Sequence, residues 1–185
     1  MSEGTTLDIL DSGNLHDPDQ CHPHDELSTF MHRFFAERPL LQPPSDNFVA
    51  IYSPGVFGSV LYREGQFQVE LFMVTPNFHI PPHAHDNVDS YEVQLQGMSF
   101  YHEVAEQLIP EHKEIYDDIA SKTGSFIRVK PDHLHWADAG KEGGMFISVQ
   151  HWLNGVKPSS VGKDWTGKVS SADHLNQVQT GEAYG

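Results

Sequence analysis

Residues 77–97 decide the fold: Asn77-Phe78-His79-Ile80-Pro81-Pro82-His83-Ala84-His85-Asp86-Asn87-Val88-Asp89-Ser90-Tyr91-Glu92-Val93-Gln94-Leu95-Gln96-Gly97. Two prolines stand ahead of His83-Ala84-His85 and hold the chain extended. On an extended chain, residues two apart face the same side, so both imidazoles can reach one ion. Further along, Ser90, Glu92 and Gln94 share one face while Tyr91, Val93 and Leu95 share the other, the alternation of a strand. A histidine pair therefore precedes a strand that carries a carboxylate and an amide on one face. If that face is inward, the Gln94 amide is buried and needs a partner, which substrate or water would supply.

The period of two continues on both sides. Upstream, Phe67, Val69, Leu71 and Met73 alternate with Gln66, Gln68, Glu70 and Phe72, a pattern no helix tolerates. Gly58 to Tyr62 reads as another strand, joined through a hairpin turn at Glu64-Gly65. Downstream, strands are predicted at Met98–His102, Ser125–Val129 and Met145–Trp152. Between them, residues 103–122 read as a helical insertion on Leu108, Ile115, Tyr116 and Ile119, interrupted at Pro110. A further helix is predicted from Asp25 to Arg38, where Leu27, Phe30, Met31, Phe34 and Phe35 recur at helical spacing. Asp25 or Ser28 caps it and Pro39 ends it. Many short strands with turns between them predict an all-β sandwich or small barrel. The expected organisation is an acidic arm and helix over 1–45, a barrel over 46–153 and a C-terminal arm over 154–185.

The chain has 185 residues, the size of one domain. Its net charge of −15 offers no basic track for phosphates, which argues against a nucleic-acid partner. The one cysteine, Cys21, excludes an intrachain disulfide. No apolar run approaches membrane-spanning length, and the first residues lack a basic and then apolar leader pattern, so the expected location is cytoplasmic. Thirteen histidines are an unusually large share for a chain of this length and direct attention to metal chemistry.

A second pair, His133-Leu134-His135, follows Pro131. Two or three imidazoles with one carboxylate, and a coordination position left open, are the usual way to hold a first-row metal. Cys21, His22 and His24 form a weaker group in the acidic arm. His79 reads as a neighbour of the first pair, and His102 as able to approach the site. His151, alternating with Val149, either faces the cavity as a proton carrier or fills a core position. Tyr52, Tyr62, Phe72, Trp136 and Phe146 offer aromatic walls. Arg63 and Arg128 read as surface salt-bridge partners or as anchors for a substrate carboxylate.

The two histidine pairs resemble the two motifs of the cupin superfamily. In the first motif a Gly, five residues, His-x-His, three or four residues, Glu, six residues and a Gly follow one another, and this chain fits the longer spacing. Here Asn77 stands at the first Gly, His83 and His85 match the pair, Ser90 stands where Glu belongs, and Gly97 matches the last Gly. Asn tolerates the left-handed backbone that the first Gly supplies. In the second motif Pro131 matches, Gly124 falls one position early, His133 occupies a Gly position, and His135 falls one residue before the expected His, followed by Trp136. The matches span Asn77 to Asp138.

The resemblance implies a cupin β-barrel (a double-stranded β-helix, or jelly roll) with an N-terminal helix and a helical insertion between the motifs. It implies one divalent metal per chain, with Fe(II) leading and Mn, Ni or Zn as alternatives. His83, His85 and His135 would be the ligands, with His133 the alternative to His135. Glu92 would be the fourth ligand or an acid beside the metal; Asp89, or three histidines and water, remain open. Catalytic candidates are Glu92, His151 and Gln94. The implied activity is a dioxygenase that uses O2 to break a C–C bond in a small hydroxylated aromatic or hydroxy/diketone compound. A non-redox lyase, isomerase or cyclase and a non-catalytic metabolite-binding cupin are the alternatives. The family also implies a homodimer.

Overall fold

The computed structural model describes residues 13–15, 25–37, 50–53, 55–102 and 123–158. Strands dominate, in the order β1 (Gly13–Asn14), α1 (Glu26–Glu37), β2 (Ala50–Ser53), β3 (Val56–Glu64), β4 (Phe67–Val74), β5 (His79–His83), β6 (Val88–Gln96), β7 (Met98–His102), β8 (Ser125–Val129), β9 (His135–Ala139) and β10 (Gly144–Trp152). They form two antiparallel sheets, one ordered β1-β8-β6-β10-β4-β3-β2 and the other β5-β9-β7. The expected all-β barrel, built of two antiparallel sheets with an N-terminal helix, is therefore the fold. The helical insertion expected over 103–122 and most of both arms lie outside the described residues.

One core fills the space between the sheets. Phe72 and Phe146 of the large sheet meet Ile80, Phe100 and Ala137 of the small one. A second core lies on the other face of the large sheet, where Val69, Tyr91, Val93 and Val149 meet Leu27, Phe30, Met31 and Phe34 of α1. Each of these buried helix side chains contributes about 2 kcal/mol by leaving water. The helix starts at Asp25, whose Oδ1 accepts from the Ser28 amide at 2.9 Å as an N-cap does. Arg128 ties that end to the sheet. Its guanidinium sits between Asp89, 2.6 Å away, and Asp25, 2.5 Å away, with only 10 % of its side chain exposed. This is a mostly buried ion-pair group, in place of the surface salt bridge expected for Arg128.

The acidic arm contributes more than its composition suggests. Gly13 and Asn14 pair with Phe126 and Ser125, so β1 covers the open edge of β8. An uncovered edge presents unpaired N–H and C=O groups, and even a two-residue strand satisfies some of them.

β5 and β9 are not marked by alternation in the sequence. β5 contains Pro81 and Pro82, which a central strand excludes but an edge strand tolerates. It is an edge strand here, and its register with β9 shifts between Ile80 and His83, around the prolines. Asn77, at the first Gly position of the motif, adopts φ 56°. Gly97 has φ 61°, and a Cβ there would lie 2.3 Å from the Gly143 carbonyl oxygen. Gly97→Ala is therefore expected to cost about 2 kcal/mol or more of unfolding free energy, because left-handed strain and a backbone clash add. Urea denaturation of the variant beside the parent measures it.

Candidate metal centre and its cavity

The strand β5 with the turn after it, and the strand β9, build the centre together. His83 ends β5 and His135 opens β9, and the two are partners across the antiparallel ladder. Partnered residues project to the same face, which brings two side chains far apart in sequence into contact. Their ring centroids are 4.1 Å apart. His85, two residues beyond His83, brings its ring 5.0 Å from His83 and 5.3 Å from His135. One nitrogen of each of the three lies within 4.8 Å of the others. Among the described residues these three make a group able to hold a divalent metal.

The donor chemistry fits an ion. His83 Nδ1 is 2.8 Å from the Pro81 carbonyl oxygen, and His135 Nδ1 is 3.1 Å from the His133 carbonyl oxygen. A carbonyl only accepts, so each Nδ1 carries the proton and Nε2 keeps its lone pair for a metal. Burial holds His85 well below the ordinary imidazole range, and His83 and His135 push it further down. It is therefore neutral near pH 7, the state a ligand needs.

His133, the alternative to His135, is exposed in the preceding turn and donates through Nδ1 to the Pro131 carbonyl oxygen at 2.9 Å. Its ring is no part of the group. The strand pairing of β9 begins at His135, which is why the second member of the pair faces His83 of β5.

The three rings open on a cavity of about 80 Å³ between the sheets. Its walls are mainly apolar. Phe72 and Phe146 stack at 4.8 Å, Phe100 meets Phe146 edge-on at 5.1 Å, and Trp136 backs onto Tyr101 at 5.7 Å. Phe72, Trp136 and Phe146 thus serve as the aromatic wall, while Tyr62 packs against Phe30 and Phe34 on the helix side. The Tyr52 and His102 side chains and the Cys21, His22 and His24 group lie outside the described residues.

Glu92 lines the same cavity from β6 in the large sheet, whereas His83 and His135 belong to the small sheet. It is not a member of the three-histidine group. Ser90 and Ser148 both donate to its Oε1, at 2.6 and 2.9 Å, and among the described residues Oε2 has no hydrogen-bond partner. Burial pushes its pKa up to about 7, with the two serine hydrogen bonds opposing the rise. A carboxyl that titrates near neutrality can both give and take a proton.

The other two catalytic candidates are placed elsewhere. Gln94 Oε1 accepts from the Met98 amide at 3.1 Å, bracing the turn at Gly97, and its side chain is not part of the cavity wall. On β10 the cavity is lined by Phe146, Ser148 and Gln150, so the pleat turns His151 to the other face. There it stacks on Phe67, with centroids 4.4 Å apart. His79 pairs with Asp138 at 2.7 Å on the exposed edge, and Asp89 is held by Arg128.

Ser148 and Gln150 are cavity residues that sequence reasoning did not single out. The alternation Phe146, Ser148, Gln150 was the available signal, but parity alone does not say which face is inside. Gln150 donates to Ser148 Oγ at 3.2 Å and accepts from Gln68 at 3.0 Å and from the Trp152 indole at 2.9 Å. A buried polar chain therefore supports the serine that holds Glu92.

No family model matches the sequence, and no curated protein matches it. Solved structures do match. KdgF from Halomonas sp. has 13 % identity and a TM-score of 0.46, covering 60 % of this chain and 94 % of that one. An RmlC-like cupin from Shewanella frigidimarina NCIMB 400 has 12 % identity and a TM-score of 0.45, covering 63 % and 94 %. The formate complex of oxalate decarboxylase from Lactobacillus farciminis has 13 % identity and a TM-score of 0.46, covering 63 % and 33 %. Similarity at this level assigns no activity. Among the described residues no helix is long and apolar enough to cross a membrane.

Proposed function

We propose that the chain is a metal-dependent dioxygenase, with Fe(II) held by His83, His85 and His135, acting on a small hydroxylated aromatic or hydroxy/diketone compound. The observation that carries this reading is the three-histidine group opening on an apolar, aromatic-lined cavity. A divalent metal bound there supplies a Lewis acid and, when it is iron, a centre for O2 activation. The chain's own residues do the rest. The aromatic side chains hold the substrate body and exclude water. Glu92 takes the proton that a substrate hydroxyl or acidic C–H gives up and returns it to product. In the overall reaction both atoms of O2 enter the product as the two carbonyl oxygens that replace the broken C–C bond, so no external reductant is needed. On the same reading the protein works as a cytoplasmic homodimer, and light scattering on the purified protein checks the assembly.

The neutral-range carboxyl of Glu92 favours a second reading, a non-redox lyase, isomerase or cyclase in which proton transfer is the chemistry. Metal analysis of untagged protein purified without chelator, followed by an oxygen-electrode screen of catechols and diketones, separates the two. About one iron per chain with substrate-dependent oxygen uptake supports the dioxygenase. Turnover that continues without oxygen transfers the assignment to the second reading. Absence of stoichiometric metal after anaerobic reconstitution leaves a metabolite-binding barrel.

A further inference from the structure

His85 is held in place differently from its two partners. His83 and His135 face each other across the β5–β9 ladder, so strand pairing fixes both backbones. His85 lies beyond the end of β5, in the turn that leads to β6, and the ladder does not reach it. Its carbonyl oxygen instead accepts from the Asp132 amide at 2.7 Å. In the same turn the Asn87 carbonyl oxygen accepts from the Leu153 amide at 2.8 Å, so outside segments hold the turn from two sides. The first of these bonds joins His85 to the segment that carries His135.

Asp132 makes that bond from a backbone that few residues adopt. Its φ is 63°, in the left-handed region. Gly enters that region freely, Asp and Asn tolerate it, and a β-branched side chain is strained there. The bond turns the peptide between Pro131 and Asp132 toward His85. The left-handed residue then bends the chain back. The His133 amide closes on the Lys130 carbonyl oxygen at 3.2 Å, and His135 opens β9 opposite His83. With an ordinary φ at position 132, either the amide leaves His85 or His135 leaves its register. The carboxylate takes no part in this bond: the residue is exposed and the donor is its main-chain N–H. We propose that Asp132 is a positioning residue for the metal centre, its left-handed backbone clamping the His85 carbonyl to the turn before β9. The clamp keeps the His85 ring beside those of His83 and His135. This rests on the metal-binding reading above and adds to it a residue outside the three-histidine group.

The test measures zinc affinity of the full chain, stripped with EDTA and desalted, by competition with a chromophoric chelator. Asp132→Asn and Asp132→Gly keep the left-handed backbone and should bind within about threefold of the parent. Asp132→Val should bind at least about tenfold more weakly, the loss expected when a residue that orients a ligand is removed. All three variants lack the carboxylate, so an effect of its charge on the cation would move them together. Circular dichroism checks that each is folded; if Asp132→Val is not, Asp132→Ala replaces it, with a loss of about fivefold. The cobalt(II) absorption spectrum reads the ligand set and should change in Asp132→Val but not in Asp132→Asn or Asp132→Gly. In the metal-free parent the Asp132 amide should exchange with deuterium at least about tenfold more slowly than an unbonded amide. Zinc held as tightly by the strained variant as by Asp132→Gly, Asp132→Asn weakened as much as the strained variant, or rapid exchange of the Asp132 amide overturns the proposal. A parent that takes up no zinc overturns the metal reading, and this proposal with it.

Discussion

The double variant His83→Ala, His135→Ala is expected to bind a divalent metal more than about a hundredfold more weakly than the parent, and to lose whatever activity the metal supports. Two of three imidazoles disappear, and His85 alone is a monodentate site. The fold should survive, because neither residue belongs to the two hydrophobic cores and both are only half-buried. Plasma mass spectrometry after dialysis, with circular dichroism beside it, measures both. His133→Ala is the control: its ring is exposed and bonded to the Pro131 carbonyl oxygen, so metal content should not change. Parent-like metal in the folded double variant would place the ion elsewhere.

The second large effect is on stability against pH. Glu92 titrates at about 7 in the folded chain against an ordinary 4.5, raised chiefly by burial. Between those values the folded state binds a proton that the unfolded state has released, so stability falls as pH rises. The contribution is fully present below pH 4.5 and is lost as pH climbs through about 7. Over that window the shift is worth about 3 kcal/mol. Other carboxylates titrate too, so the informative quantity is the difference between parent and Glu92→Gln, which cannot ionise there. Urea denaturation of the metal-free proteins at pH 4 and pH 8 should show the parent losing about 3 kcal/mol relative to the variant. A flat difference would mean that Glu92 keeps an ordinary carboxylate pKa.

Much of the barrel was legible because alternation is a local property. The runs at 67–73, 91–95, 98–102, 125–129 and 145–152 each became a strand, and the apolar spacing after Asp25 became α1. Three strands escaped notice, and all are short: β1 has two residues, β5 is full of proline and β9 begins inside a histidine turn, so none alternates long enough to register. The same limit separated the site residues. Parity placed Ser90 and Glu92 on one face, and both line the cavity. It left His151 undecided, because both faces of β10 are buried, one under the small sheet and one beneath α1.

The sequence by itself determined the strand class, the helix with its two candidate caps, and the extended His83 and His85 pair, all set by neighbours within a few residues. Tertiary structure alone decided which histidine joins that pair, which face of the large sheet is the cavity and where Glu92 stands. Those depend on the register of β5 against β9 and on how two sheets meet. Register is a contact between segments some fifty residues apart, and the local backbone preferences that spell out a strand carry no information about its partner.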